Sequence, residues 1–218
     1  MAALFVTGTD TGVGKTFVAC ALATALRARG RRVAVMKPVE TGVETEPEDA
    51  LRLRAAAEDP APLDAICPIR LRAPLAPAVA ARLEGVTIDV DALVARIRRR
   101  TAERDVLVVE GAGGLLVPVA GRVTFLDLAA RAGLPVLVVA ANRLGAINHC
   151  ALTVRVARAA DLAVRGFVLS RPAPATDVSA ATNAEAIVAL TGVPCLGDLP
   201  HCETPASAAP YVDVARLD

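Results

Sequence analysis

The chain has no tryptophan, one tyrosine and four phenylalanines, so rings cannot fill its interior. Aromatics make up 2% of a sequence that is 54% apolar. The core must therefore be built from Ala, Val and Leu, the composition of buried parallel strands covered by Ala-rich helices. Charge of one sign is also lacking: 24 Lys and Arg stand against 23 Asp and Glu, which leaves no global field to draw in a nucleic acid or an anionic membrane. Any charged partner must be bound by local chemistry, and a small molecule is expected. The cysteines Cys20, Cys67, Cys150, Cys195 and Cys202 are odd in number and show no C-x-x-C spacing or paired histidines. That excludes a disulfide framework and a structural zinc site, and they read as buried thiols of a reducing compartment. The sequence enters a strand-like run at Ala2–Val6 without a basic leader and contains no long apolar stretch. Neither a signal peptide nor a membrane span is expected, and the protein is placed in the cytoplasm.

What is present is a repeated alternation. Short β-branched or apolar runs are followed by longer Ala, Leu and Arg segments of helical period, as in successive βαβ units. Strands are predicted near 3–7, 33–37, 105–109, 135–141, 165–169 and 194–197, with a weaker one near 66–70. Helices are predicted near 14–29, 48–58, 76–84, 89–103, 124–132, 146–161 and 179–191, several closed by glycines such as Gly30, Gly133 and Gly192. The Pro-rich stretch from Arg171 to Thr176 joins a strand to a helix, and no linker divides the chain. The expected fold is one α/β domain over residues 1–218 with a doubly wound, mostly parallel sheet. The arginines 98–100 and the cluster Arg29, Arg31, Arg32 fall at helix C-terminal ends, where cations oppose the negative end of the dipole, and read as solvated ends.

The strongest signal is Gly8-Thr9-Asp10-Thr11-Gly12-Val13-Gly14-Lys15-Thr16, set between the first strand and the first helix. This is a phosphate loop in its required context, and it makes the fold one with a P-loop NTPase-type nucleotide site. Main-chain amides turn inward around phosphates, the helix N-terminus adds positive potential, Lys15 reaches the outer phosphates, and the Thr16 hydroxyl suits magnesium. The loop is a variant, with five residues rather than four between Gly8 and Gly14. The predicted nucleotide contacts are Gly12, Val13, Gly14, Lys15, Thr16 and Phe17.

Two acids are placed to hold a metal. Glu110 ends the apolar run 105–109 and precedes Gly111-Ala112-Gly113-Gly114, so its carboxylate should emerge at the C-terminal edge of the sheet, where open α/β folds bind ligands. Asp49 opens a helix within Glu46-Pro47-Glu48-Asp49, which from spacing alone is an ordinary acidic first turn. Lys37 follows the strand 33–36 and should point from the open sheet edge toward the phosphates, neutralising charge there.

The loop Gly8–Thr16, Lys37-Pro38-Val39-Glu40-Thr41-Gly42, Asp49, Val109-Glu110-Gly111-Ala112-Gly113-Gly114 and Leu144-Gly145-Ala146-Ile147-Asn148-His149 together resemble the dethiobiotin synthetase family in content and order, over residues 3 to about 200. The resemblance implies a ligase of biotin synthesis that joins diaminopelargonate (7,8-diaminononanoate) and carbon dioxide at the expense of ATP, with magnesium. It also implies roles: Lys15 and Lys37 stabilise phosphoryl and carbamate oxygens, Thr11 and Thr41 bind the substrate end, and Thr16, Asp49 and Glu110 hold Mg2+. Gly111, Ala112 and Gly113 join the nucleotide set. Where the family pattern has an Asn-Asp pair to read adenine, this chain has Ser170-Arg171-Pro172, and Pro200-His201-Cys202 replaces a segment that can carry an aromatic. These residues are expected to line the base site, with other nucleoside triphosphates admitted beside ATP.

The turn at Gly145, Ala146, Ile147 and Asn148 opens a helix, and its unpaired amides read as a site for the substrate carboxylate. The resemblance implies that it reaches the active site of the other subunit in a homodimer. His149 is expected to pack and His201 to be solvent-exposed. The alternative reading is a ParA- or MinD-like switch ATPase. Such proteins carry a signature lysine where this chain has Asp10, and many end in a basic amphipathic helix that Ala209–Asp218 does not form.

Overall fold

The computed structural model describes residues 2–174 and 177–217. Ala175 and Thr176, the end of the expected Pro-rich connection, lie outside the described residues, as do Met1 and Asp218. The strands are β1 (Ala3–Gly8), β2 (Val33–Met36), β3 (Val39–Thr41), β4 (Ile69–Leu71), β5 (Val106–Gly114), β6 (Pro118–Ala120), β7 (Val123–Thr124), β8 (Val136–Ala141), β9 (Val164–Ser170) and β10 (Cys195–Asp198). The helices are α1 (Lys15–Ala28), α2 (Glu48–Ala57), α3 (Leu63–Ile66), α4 (Pro77–Glu84), α5 (Val90–Thr101), α6 (Phe125–Ala132), α7 (Ala146–Ala159), α8 (Asn183–Thr191) and α9 (Pro205–Ala208). The main sheet has the order β10-β9-β8-β1-β5-β2 with every neighbouring pair parallel.

Side chains alternate across this sheet and split the core in two. Leu4 and Val6 of β1, Val33 and Val35 of β2, and Val106 and Val108 of β5 pack against α1 and α2 through Val18, Leu22, Ala50 and Leu53. Phe5, Ala34, Met36, Leu107 and Val109 face the opposite way, toward α5, α6, α7 and α8 through Ile97, Leu128, Val154 and Ile187. Two buried faces explain why the strands read as continuous apolar runs, and the doubly wound, mostly parallel arrangement expected from the sequence is the one observed. Phe5 and Phe125 supply one tilted ring pair at 6.1 Å and Phe167 a further buried ring; most of the remaining core is aliphatic.

The strands expected near 3–7, 33–37, 105–109, 135–141, 165–169 and 194–197 form the main sheet. The weaker one is shifted to β4, which pairs with β3 in a separate two-stranded parallel ladder. β3 and the short β6–β7 hairpin were not expected, because two or three residues are too few to show a period. The expected helix over 179–191 is divided into a 3-10 turn at Val178–Ala181 and α8. Cys20, Cys67 and Cys150 are buried thiols, but Cys195 and Cys202 are only partly buried. Among the described residues no helix is long and apolar enough to cross a membrane.

The arginine run 98–100 corrects the reading of a solvated helix end. Arg98 and Arg99 are exposed, but Arg100 faces inward with Leu93 and Ile97 and is 2% exposed. Its guanidinium forms a buried ion pair with Asp59 and donates to the Val35 carbonyl at 3.1 Å, while the Asp59 carboxylate accepts from the Val35 amide at 2.9 Å. Being on the sheet-facing stripe of α5, it can only be accommodated if Asp59 meets it there. Arg100→Ala should therefore leave Asp59 as an uncompensated buried charge and cost about 3–5 kcal/mol in urea unfolding, whereas Arg99→Ala should change stability by no more than about 0.5 kcal/mol. Equal effects of the two would contradict this assignment.

Candidate active site

Parallel pairing brings the C-terminal ends of β1, β2 and β5 to one edge, and register sets what meets there. Met36 stands opposite Val109, and Val6 opposite Glu110. Lys37 continues the parity of Val33 and Val35, and Glu110 that of Val106 and Val108, so both project to the side of α1 and α2. The Lys37 ammonium lies 2.6 Å from Glu110 Oε1 and 2.8 Å from Asp49 Oδ2, with the Gly111 carbonyl at 3.4 Å. Thr16, in the first turn of α1, donates its hydroxyl to the same Glu110 Oε1 at 2.7 Å.

The structure corrects two expectations here. Lys37 is 2% exposed and Glu110 is fully buried, so Lys37 belongs to the interior rather than to an open edge. Glu110 does not end its strand either: β5 runs on to Gly114, which pairs with Gly8 of β1 after a register shift. Glycine permits this extension, since a Cβ on Gly111 would lie 2.9 Å from the Phe5 ring.

Burial alone would lower the Lys37 pKa, but the carboxylates of Glu110 and Asp49 more than offset it and hold the ammonium above the ordinary lysine value. Asp49 is the mirror case: partial burial raises it, Lys37 outweighs that, and the carboxyl stays below its usual range. Lys15 is lowered, first by burial and then by the neighbouring Lys37 charge, against the pull of Glu110 and Asp49.

The phosphate loop joins this group directly. α1 starts at Lys15 behind Gly14, with no side chain capping its N-terminus, which leaves that end to anions. Gly14 has φ 79°, and a Cβ there would lie 3.0 Å from Ser170 Oγ. Asp10, the position that separates this chain from the switch ATPases, is exposed and accepts from the Thr11 amide at 2.7 Å. A cleft of about 560 Å³ is lined by Thr11 and Lys15 together with Lys37, Thr41, Asp49, Ala112 and Gly113.

The donor set suits a hard cation. Glu110 Oε2 is buried without a hydrogen-bond partner, an orphan acceptor beside the Thr16 hydroxyl. No group of three His, Cys, Asp or Glu that could hold a metal occurs among the described residues. Two carboxylates and a hydroxyl match magnesium, which completes its shell from phosphate oxygens and water rather than from an all-protein cage.

A family profile for an AAA domain matches residues 2–207. Over 192 residues, 88% of this chain and 86% of the relative, the sequence is 55% identical to the ATP-dependent dethiobiotin synthetase BioD of Anaeromyxobacter dehalogenans strain 2CP-1. This chain belongs to the dethiobiotin synthetase family. The synthetase of Aromatoleum aromaticum is 44% identical over 204 residues, 91% of this chain and 90% of the relative. Among solved structures, the FtsY proteins of Mycoplasma mycoides and Thermotoga maritima superpose with TM-scores of 0.55 and 0.54 at 15% and 16% identity. The superposition covers 94% of this chain in both cases, and 62% and 63% of the FtsY chains. That likeness shows the fold alone. The switch ATPase is the less supported reading.

Other parts of the synthetase differ from what the sequence suggested. Ser170 does line a slot of about 160 Å³ with Gly14, Phe17, Arg171, Pro200, His201 and Cys202, but its hydroxyl donates to the Val13 carbonyl at 2.5 Å and so ties β9 to the phosphate loop. Arg171 is paired with Asp198 at 2.9 Å, and Asp198 also accepts from Asn142, at 2.9 Å. His201 is exposed as expected, with its Nδ1 3.2 Å from the Arg171 carbonyl.

The turn before α7 is less open than expected: the Ala146 amide donates to the Arg143 carbonyl at 3.1 Å, closing a turn that the sequence did not show. Asn148 and His149 are exposed, so His149 does not pack. Residues 145–148 do not line the cleft that holds Lys37; further along α7, Leu152 and Thr153 line a second cleft of about 430 Å³ with Asp10, Thr11 and Leu116.

Removing the ammonium should strand the Glu110 charge. Lys37→Met is expected to cost about 3–5 kcal/mol in chemical unfolding, and the Lys37→Met/Glu110→Gln double variant to recover part of that loss. Strictly additive losses would show that the two groups are not coupled.

Proposed function

We propose that this chain, acting as one P-loop α/β unit, catalyses the ATP-dependent closure of 7,8-diaminononanoate with carbon dioxide to dethiobiotin, ADP and phosphate, in the cytoplasm and with Mg2+. The observation that carries the reading is the single cleft in which Thr11 and Lys15 of the phosphate loop face Lys37, Thr41 and Asp49. A site that only hydrolyses a nucleotide has no use for a second lysine and a further hydroxyl, those of Lys37 and Thr41, facing the phosphate loop across a space that size.

The chemistry runs in three transfers. One substrate amine adds to carbon dioxide and loses a proton, giving a carbamate. A carbamate oxygen attacks the γ-phosphorus of ATP and ADP leaves, forming a carbamic-phosphoric anhydride. The second amine then attacks the carbamoyl carbon, phosphate departs with that oxygen, the amine proton passes to solvent, and the ring is closed. The carbamate is itself the nucleophile, so the protein is asked for position and charge.

Lys15 and Lys37 set two cations about the place where carbamate and γ-phosphate oxygens must meet, and the amides at the N-terminus of α1 hold the remaining phosphate charge. Thr11 and Thr41 orient the diamine end. Magnesium, held through Thr16, Glu110 and Asp49, would neutralise phosphate oxygens. Base selection is weak in this reading, because Ser170 and Arg171 are already engaged by Val13 and Asp198. The far carboxylate of the substrate is assigned to residues 145–148 of a second subunit. Exposed Leu116 and Leu152, 59% and 53% accessible and lining one cleft, support a face that a partner covers.

Two experiments test these statements. Phosphate release should depend on both diamine and bicarbonate; Lys15→Ala and Lys37→Gln, corrected for folded fraction, should each lower turnover by about a hundredfold or more, and CTP, GTP and UTP should support rates comparable to ATP. Substrate-independent release or a fully active Lys37→Gln would overturn the mechanism, and a steep preference for ATP would overturn the weak base selection. Mixing Asn148→Ala with Lys37→Gln should restore part of the activity through hybrid dimers carrying one intact site. No recovery after demonstrated subunit exchange would remove the shared site.

A further inference from the structure

Helix α2 begins without a cap of its own. Its N-cap residue is Pro47, which offers no side-chain acceptor, and the acidic side chains of the first turn face elsewhere: Glu48 pairs with exposed Arg52 at 2.9 Å and Asp49 with Lys37. The second and third amides of the helix would be orphans by this arrangement. They are satisfied from another element. Glu40, on β3, accepts from the Asp49 amide through Oε1 and from the Ala50 amide through Oε2, both at 3.0 Å.

Glu40 is 6% exposed, so this is a buried carboxylate. β3 itself is fixed by its parallel ladder to β4, Glu40 standing opposite Arg70. Between β3 and α2 run the residues 42–47, of which Val43 and Pro47 are buried and 44–46 are exposed. The exposed stretch 44–46 gives the first turn of α2 no hold, and the fork from Glu40 bonds its amides directly.

We infer that Glu40 is a positioning residue which, by clamping the first turn of α2 with both carboxylate oxygens, holds Asp49 at the distance from Lys37 and Glu110 that the metal and carbamate chemistry requires. Asp49 stays near Lys37 only while its backbone is held, and its carboxylate is the most exposed member of the group, at 35% against 3% for Lys37 and 0% for Glu110. Without the clamp it is the member free to turn outward. A charged acceptor is suited to the task because it meets two amides at once at the positive end of a helix. The inference rests on the reading of Asp49 as an acid that helps hold Mg2+.

The test compares Glu40→Gln, Glu40→Ala, Asp49→Asn and the exposed control Glu48→Ala in two measurements. One is the Mg2+ dependence of turnover. The other is binding of Mn2+ in the presence of ADP, read from the free-ion signal in electron paramagnetic resonance. Glu40→Ala should weaken Mn2+ binding and raise the half-saturating Mg2+ by roughly 10–100-fold, with turnover largely restored at saturating Mg2+. Glu40→Gln, which keeps one acceptor oxygen, should fall between Glu40→Ala and the parent and decides the matter if Glu40→Ala does not fold. Glu48→Ala should leave both measurements unchanged. A shift in Asp49→Asn without one in Glu40→Gln, or a fall in melting temperature alone, would reduce Glu40 to a structural cap and overturn the inference. An unshifted Asp49→Asn would overturn the metal role of Asp49 and the inference together.

Discussion

The lysine ammonium held between two carboxylates at the C-terminal edge of the sheet is the constraint around which the site is arranged. A lysine that is 2% exposed can remain charged only if its partners are close, and Glu110 and Asp49 meet that condition at 2.6 and 2.8 Å. Each comes from a different element: Lys37 follows β2, Glu110 lies within β5 and Asp49 opens α2. The ion pair thus fixes three segments at the point where the phosphate loop, through Thr16, makes its own hydrogen bond to Glu110. Nucleotide site and carboxylate group share one atom, Glu110 Oε1, and cannot be positioned independently.

The same physical logic recurs at Arg100, on the α5 side of β2. There too a cation is carried into the interior and matched by acids, Asp59, which also takes the Val35 amide, and the less buried Glu103. The two clusters lie along one strand, Val35 and Lys37 being two residues apart. β2 is an edge strand with only β5 beside it in the main sheet, and polar clamps at both points compensate for the missing neighbour.

The fold was legible because both buried faces of the sheet leave apolar runs of the right length, with helical segments between them. The phosphate loop was legible because its glycines and Lys15-Thr16 act through local backbone geometry. Glu110 could be found from the strand that precedes it, although the continuation of β5 to Gly114 could not, since pairing through glycines has no sequence period. Asp49 was not legible from its neighbours: as a first-turn acid it looks ordinary, and only the resemblance to the synthetase family singled it out. Its distinction is tertiary, set by Glu40 from a three-residue strand too short to be recognised. Arg100 was misread for a related reason. Its side-chain direction is decided by helix phase, and its tolerance inside by an acid some forty positions away. Ser170 shows the limit from the other side, since the bond of its hydroxyl to the Val13 carbonyl, which ties β9 to the phosphate loop, has no local sequence sign.

The central claim is that a carbamate oxygen of the substrate, not water, attacks the γ-phosphorus in the cleft between Lys15 and Lys37. The most direct measurement follows oxygen itself. Reaction over short times with oxygen-18 carbon dioxide in unlabelled water should release phosphate carrying one labelled oxygen, delivered by the carbamate when the ring closes. Phosphate released without label, while labelled carbon dioxide is still present, would contradict the account and identify water as the attacking group.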